Sequence, residues 1–225
     1  MPESIGNIKS LNRLDLSSNT LSTLLESFGN LQSLNRLYLS RNHFSILPDC
    51  IGRLTHLESL SLSGNRLSIV PNFFRDLKSL KDLDMETALL QDIPDGLVAF
   101  RVSGEDWDRL RSKIFSVTSL KYLDLSSVSG LRELPEEIGH LTNLLELNLY
   151  GASLTQLPES IGQLTNLTKL DLQGNVSLSS LPESMKNLQN LRYLYLRGTR
   201  IPFGKKLMYI KMLPKCEISY EYRWF

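Results

Sequence analysis

Eleven residues, LNRLDLSSNTL at 11–21, recur as LNRLYLSRNHF at 34–44 and as LESLSLSGNRL at 57–67, 23 residues apart each time. A second block runs between them. LPDCIGRL at 47–54 returns as LPEEIGHL at 134–141 and as LPESIGQL at 157–164. In LxxLxL the last positions alternate, so the leucines point to one side of a short strand and the residues between them to the other. One such unit cannot bury its own apolar side. Successive units must stack, so that their leucines share one continuous core and their strands line one wall of a curved solenoid. Inner strands are expected near Leu11, Leu34, Leu57, Leu80, Leu97, Leu120, Leu144, Leu167 and Leu191, nine repeats in all.

The residues between the strands serve the same plan. Asn19, Asn42, Asn65 and Asn175 follow a strand and are expected to turn the chain by bonding to nearby backbone. Pro48, Pro71, Pro94, Pro135, Pro158 and Pro182 fall on the outer arc, where no ladder hydrogen bond is needed. Ile-Gly is expected to start a single helical turn. The stretch LVAFRVSGEDWDRLRSKI at 97–114 interrupts the monotony. Aligned on Leu97, it places Phe100 and Val102 at leucine positions, Trp107 and Leu110 where Leu67 and Val70 stand, and Ile114 and Val117 where Phe74 and Leu77 stand. It therefore reads as a repeat in disguise. The rival reading is an inserted amphipathic helix over 105–116 with Ser103 as its N-cap. The repeat before it, 80–96, is six residues short, and the arc is expected to deform near 92–97. The array is assigned to 1–202. Residues 203–225 are assigned to a C-terminal capping segment: a short helix over 204–213 ended by Pro214, a strand over 217–222, and Trp224 and Phe225 covering the end.

The LPxxIGxLxxLxxLxL pattern at this period resembles the leucine-rich repeat, and the resemblance covers residues 1 to about 202. It is similar to short bacterial members, spirochaete ones included, and to plant and animal intracellular members that scaffold signalling proteins. The tail KMLPKCEI at 211–218 resembles the ending of the bacterial proteins. The family resemblance implies an α/β fold: a right-handed, curved solenoid with a parallel sheet on the concave face and short helical turns on the convex one. It also implies a protein-binding module without catalysis, with a role at a host interface proposed for some members.

Composition excludes several other classes. A net charge of +1 argues against a dedicated nucleic-acid binder. No apolar run approaches the roughly 20 residues that cross a bilayer, so no membrane insertion is expected. Cys50 and Cys216 would lie many layers apart in a solenoid and are expected as free thiols. No nucleophile–base pair, paired carboxylates or phosphate-binding glycine loop converge, so neither an enzyme nor a cofactor is expected. Asp82, Asp84 and Asp124 could form a carboxylate ladder for a cation such as Ca²⁺, but their spacing is only that of the strands, and no metal is assigned. Met1 to Gly6 repeats the middle of a motif, so this end fixes no compartment. It also allows a second reading, the recognition domain of a larger enzyme or receptor. A monomer is expected, with homodimerisation through an uncapped N-terminal edge as the alternative.

Binding is expected on the outward strand positions, which form columns. The N-terminal repeats carry Arg13, Arg36, Tyr38 and Arg41. The centre is acidic, with Asp82, Asp84, Glu86, Asp124 and Glu146. The C-terminal repeats collect Tyr122, Tyr150, Tyr193, Tyr195, Arg192, Arg197 and Lys169. Tyr and Arg are enriched at binding hot spots, and Tyr offers large contact area at low entropic cost. The plain alternatives are that the aspartates are a solvated face and that the tyrosines serve strand packing.

Overall fold

The computed structural model describes residues 2–69, 71–85, 96–102, 107–128 and 130–220. Ten three-residue strands recur among the described residues. They are β1 (Arg13–Asp15), β2 (Arg36–Tyr38), β3 (Ser59–Ser61), β4 (Asp82–Asp84), β5 (Ala99–Arg101), β6 (Tyr122–Asp124), β7 (Glu146–Asn148), β8 (Lys169–Asp171), β9 (Tyr193–Tyr195) and β10 (Glu217–Ser219). Strands β1 to β4 form one parallel sheet in sequence order, and β5 to β10 form a second. Two compact units divide the chain at Arg101. Within each, parallel strands alternate with helical turns in the expected α/β leucine-rich-repeat solenoid. Leu37, Leu60 and Leu83 are buried in the first unit, and Leu123, Leu147, Leu170 and Leu194 in the second.

The outer arc is made of 3-10 turns, five residues each, such as Asp49–Arg53, Glu136–His140 and Glu159–Gln163. They begin earlier than expected from Ile-Gly. Pro48, Pro71, Pro135, Pro158 and Pro182 are the N-caps, because an extended φ near −70° suits proline just before a helical turn and no N–H is lost there. The glycine sits inside the turn for close approach. A Cβ on Gly6 would collide with the Ser27 carbonyl of the next turn, and one on Gly162 with Ser184. The acidic residue after proline also reaches forward: Ser160 N–H donates to Glu136 Oε2 at 3.0 Å, and Ser184 N–H to Glu159 Oε2 at 3.1 Å.

The asparagines act as expected and reach further than one turn. Asn42 Nδ2 donates to Leu16 O in the preceding repeat (2.9 Å) and to Leu39 O in its own (3.0 Å), while its Oδ1 accepts Leu21 N–H (3.0 Å). Asn65 and Asn175 repeat this pattern. Each buried Asn thereby satisfies backbone groups that water cannot reach.

The stretch at 97–117 combines both sequence readings. β5 keeps the repeat's place, with Leu97, Phe100 and Val102 buried. Its outer arc is α1 (Trp107–Ile114), inside the span of the rival helix. Trp107, Leu110 and Ile114 are buried, and Trp107 meets Phe115 edge-on with ring centres 6.0 Å apart. The shortened arc at 86–95, Pro94, Ser103 and Glu105 lie outside the described residues.

After β9 come α2 (Phe203–Met212) and β10. β10 pairs in parallel with β9, Ile218 opposite Leu194, and stands 24 residues on from it. α2 takes the place of a 3-10 turn. Tyr209 is buried, and its hydroxyl accepts Leu181 N–H at 2.8 Å. Trp224 and Phe225 lie outside the described residues.

Candidate functional site

In the second unit the register aligns two outward rows. Tyr122, Glu146, Lys169, Tyr193 and Glu217 stand side by side across β6 to β10, and Asp124, Asn148, Asp171, Tyr195 and Ser219 form the next row. The leucine row between them is buried. Because outward positions are two residues apart, Tyr193 and Tyr195 lie on the same side of one strand. Their rings stack 6.4 Å apart at 6°. Lys169 Nζ meets Glu146 Oε2 at 3.3 Å, so the first row reads aromatic, anion, cation, aromatic across β6 to β9, with the Glu217 carboxylate next to Tyr193 on β10. Both side chains are partly exposed, so the pair contributes no more than about 1 kcal/mol to folding. Tyr150 follows β7 and is half exposed, with its ring beside Gly174.

Three other expected contacts behave differently. Arg192 is exposed, and its guanidinium turns back toward Gln189 O and Leu191 O, at 3.4 and 3.5 Å. Arg197 is half-buried on the loop after β9, and its carbonyl accepts Gly174 N–H at 2.8 Å. Asp124 uses Oδ1 to accept Ser126 N–H at 2.8 Å. Asn148 and Asp171 do the same for Tyr150 and Gln173, and Asp15 does so for Ser17. The middle-position Asp or Asn thus has a structural task, holding the bend that ends each strand.

The first unit holds a different surface. Arg13, Arg36, Ser59 and Asp82 form one row, and Asp15, Tyr38, Ser61 and Asp84 the next. The Arg13 guanidinium lies over the Tyr38 ring, 4.9 Å from its centre, which holds both side chains in place. Arg36 is exposed, as is Arg41, whose φ of 55° puts it in the left-handed region. The carboxylates here are internally engaged. Asp84 accepts from Ser61 Oγ at 2.9 Å and Ser63 Oγ at 2.7 Å, and Ser61 bonds Ser40 at 2.6 Å. Asp82 accepts from Ser59 Oγ at 3.1 Å and faces Arg101 at 3.6 Å. Of the expected acidic centre, Asp82 and Asp84 belong to this network in the first unit, and Asp124 and Glu146 to the second unit. Glu86 lies outside the described residues. The hydroxyl network was missed in the sequence, although Ser40, Ser59, Ser61 and Ser63 at outward positions were its signal. Among the described residues no three His, Cys, Asp or Glu side chains gather as metal ligands would.

The titrating groups follow hydrogen bonding at Asp15 and burial elsewhere. The Ser17 amide holds the Asp15 carboxyl below its usual range, whereas burial pushes Asp171 up against the opposing Gln173 amide and Lys169. Cys50 and Cys216 are both free. Burial raises both thiols, that of Cys216 to about 11, so neither is a thiolate nucleophile at neutral pH.

The family model for a leucine-rich repeat region matches residues 1–93 and 107–223. It passes over most of the stretch in which α1's repeat begins. No curated protein matches the chain. Among solved structures, a leucine-rich-repeat protein of Leptospira interrogans is similar at 27% identity, over 97% of this chain and 74% of that one, with a TM-score of 0.43. The leucine-rich repeat domain of the type III effector XopL of Xanthomonas is similar at 22% identity, over 93% of this chain and 76% of that one, with a TM-score of 0.47.

Proposed function

Because the chain belongs to the leucine-rich repeat family, whose members are in general protein-interaction modules without catalysis, we propose that it binds a protein partner through the outward face of β6 to β9. The observation that carries this reading is the row Tyr122, Glu146, Lys169, Tyr193 with Tyr195 stacked on its end. Strands lie about 4.8 Å apart, so the two end tyrosines stand about 14 Å from each other with an ion pair between them. That spacing suits a partner whose apolar side chains rest on the tyrosines while its own polar groups meet Glu146 and Lys169. The strands are backed by a packed leucine core, so little ordering is left to be done on binding. Tyr150 widens the platform. Arg13, Arg36, Tyr38 and Arg41 form a second, basic zone in the first unit.

The test is affinity capture with the immobilised chain and two variants, each confirmed folded by circular dichroism. One carries Ala at Tyr122, Tyr150, Tyr193 and Tyr195. The other carries Ala at Arg13, Arg36 and Tyr38. A protein held by the wild type and the second variant, and lost by the first, is the expected result. Equal retention by all three sinks the tyrosine platform, and loss only in the second moves the site to the first unit.

A further inference from the structure

A second candidate surface lies on α2, in a basic segment that also contains β9 of the tyrosine rows. Residues 185–216 contain eight of the chain's 25 Lys and Arg and none of its 24 Asp and Glu. The remaining 193 residues therefore carry 17 basic against 24 acidic groups, and the near-neutral total hides one strongly basic segment. At its centre is α2, and the polarity of this helix is inverted. Lys206 and Tyr209 are buried, the lysine's ammonium 4.7 Å from the centre of the Tyr220 ring. Phe203, Leu207, Met208 and Ile210 are exposed, Phe203 by 68% and the others by about half. Phe203, Leu207 and Ile210 are spaced i, i+4, i+7 and make one stripe along the helix. Lys211 is exposed beside it, Lys205 is exposed on the far flank of the helix beyond Met208, and Arg200 and Lys215 are exposed just before and just after the helix.

We propose that this outward face of α2 docks on an anionic lipid bilayer, as a peripheral contact. A helix lying in the headgroup boundary places aliphatic and aromatic side chains toward hydrocarbon while its lysines meet lipid phosphates and carboxylates. The α2 face supplies both within one short helix. Its ten residues are too few to cross a membrane, and no helix among the described residues is long and apolar enough to do so. The charge pattern selects this occupant. A second copy docking through the same face would bring two all-basic surfaces together. A nucleic acid would satisfy the lysines and leave Phe203, Leu207 and Ile210 in contact with phosphate and water. The proposal is independent of the tyrosine platform.

The experiment is co-sedimentation of the full chain with vesicles. One set is pure phosphatidylcholine and the other contains about one-third phosphatidylserine. Two variants are run beside the wild type: L207E/I210E and K205E/K211E, both at exposed sites and both checked by circular dichroism. Expected is pelleting with the phosphatidylserine vesicles alone, suppressed by high salt, and weakened roughly tenfold or more in each variant. No pelleting of the wild type at low salt overturns the proposal, as does undiminished pelleting of either variant. A chain that ignores vesicles but is captured by an immobilised acidic amphipathic peptide assigns the face to a protein and also overturns it. So does a concentration-dependent dimer, seen by light scattering, that L207E/I210E abolishes. The tetra-alanine tyrosine variant should pellet like the wild type, so failure of one site is distinguishable from failure of the other.

Discussion

The first and ninth repeats have nearly the same sequence pattern and different surroundings. Leu11, Leu14, Leu16 and Leu21 of the first are only partly buried. Their counterparts Leu191, Leu194, Leu196 and Ile201 are 4% exposed or less. β1 has β2 on one side, whereas β9 lies between β8 and β10, with Tyr209 and Leu213 of the following segment buried beside it. A leucine in this architecture is stabilised by the next layer as much as by its own. The same contrast holds for asparagine. Asn42 bonds across to the previous repeat, whereas the exposed Asn19 reaches only Leu16 O and Ser17 O in its own turn.

The sharpest way to break this comparison is truncation at matched sites. Leu194→Ala should destabilise the second unit by about 3–4 kcal/mol, through lost burial plus a cavity. Leu14→Ala should cost less, about 1–2 kcal/mol, because its site is already partly open. Urea midpoints measure both, and equal shifts would show that the first repeat is covered in solution. Asn42→Ala should cost about 1–3 kcal/mol, since it strands the Leu21 amide and removes one of two donors from each of Leu16 O and Leu39 O, which keep Asn19 and Asn65, whereas Asn19→Ala should fall within about 0.5 kcal/mol. If residues 203–220 act as the array's cap, as we propose, Tyr209→Phe should lose about 1–2 kcal/mol by stranding Leu181 N–H. Amide exchange at Leu181 should then quicken more than exchange in β6.

The smallest effects are electrostatic and opposite in sign. Asp15 is held below its usual range, so its contribution is present at neutral pH and fades as pH falls through the carboxylate range. Asp171 is held above its usual range, so ionising it opposes folding, and stability improves as pH falls through its raised pKa. Asp171→Asn keeps an oxygen for the Gln173 amide, as Asn148 does for Tyr150. It should slightly stabilise the chain at neutral pH and lose that advantage in acid. Asp15→Asn should slightly destabilise at neutral pH. Thermal melts across pH read both signs, and parallel curves for the two variants would contradict the assignment.

The candidate site was legible as rows, because a period of 23–24 residues determines which side chains neighbour each other across parallel strands. Tyr122, Glu146, Lys169 and Tyr193 fall in one row for that reason alone. Spacing could not say which members of a row were free to act. That depended on hydrogen bonds made between rows: Asp124 is engaged by Ser126, Asp84 by two serines, and Arg192 turns back on its own loop. The inverted helix α2 was legible as a helix near 204–213, but not as inverted. Lys206 goes inward because Tyr220 arrives over it from 14 residues further on, a contact no local pattern contains.

The sequence by itself determined the solenoid, the strand positions and the identity of the outward columns. Each of these follows from the period of the leucines, because a repeat that cannot bury its own face must stack on a copy of itself. Tertiary structure alone decided how completely each repeat is buried, which carboxylates and arginines are engaged by neighbours, and which side of α2 faces water. Those depend on what lies in the adjoining layer, and a residue's own repeat does not encode its neighbour.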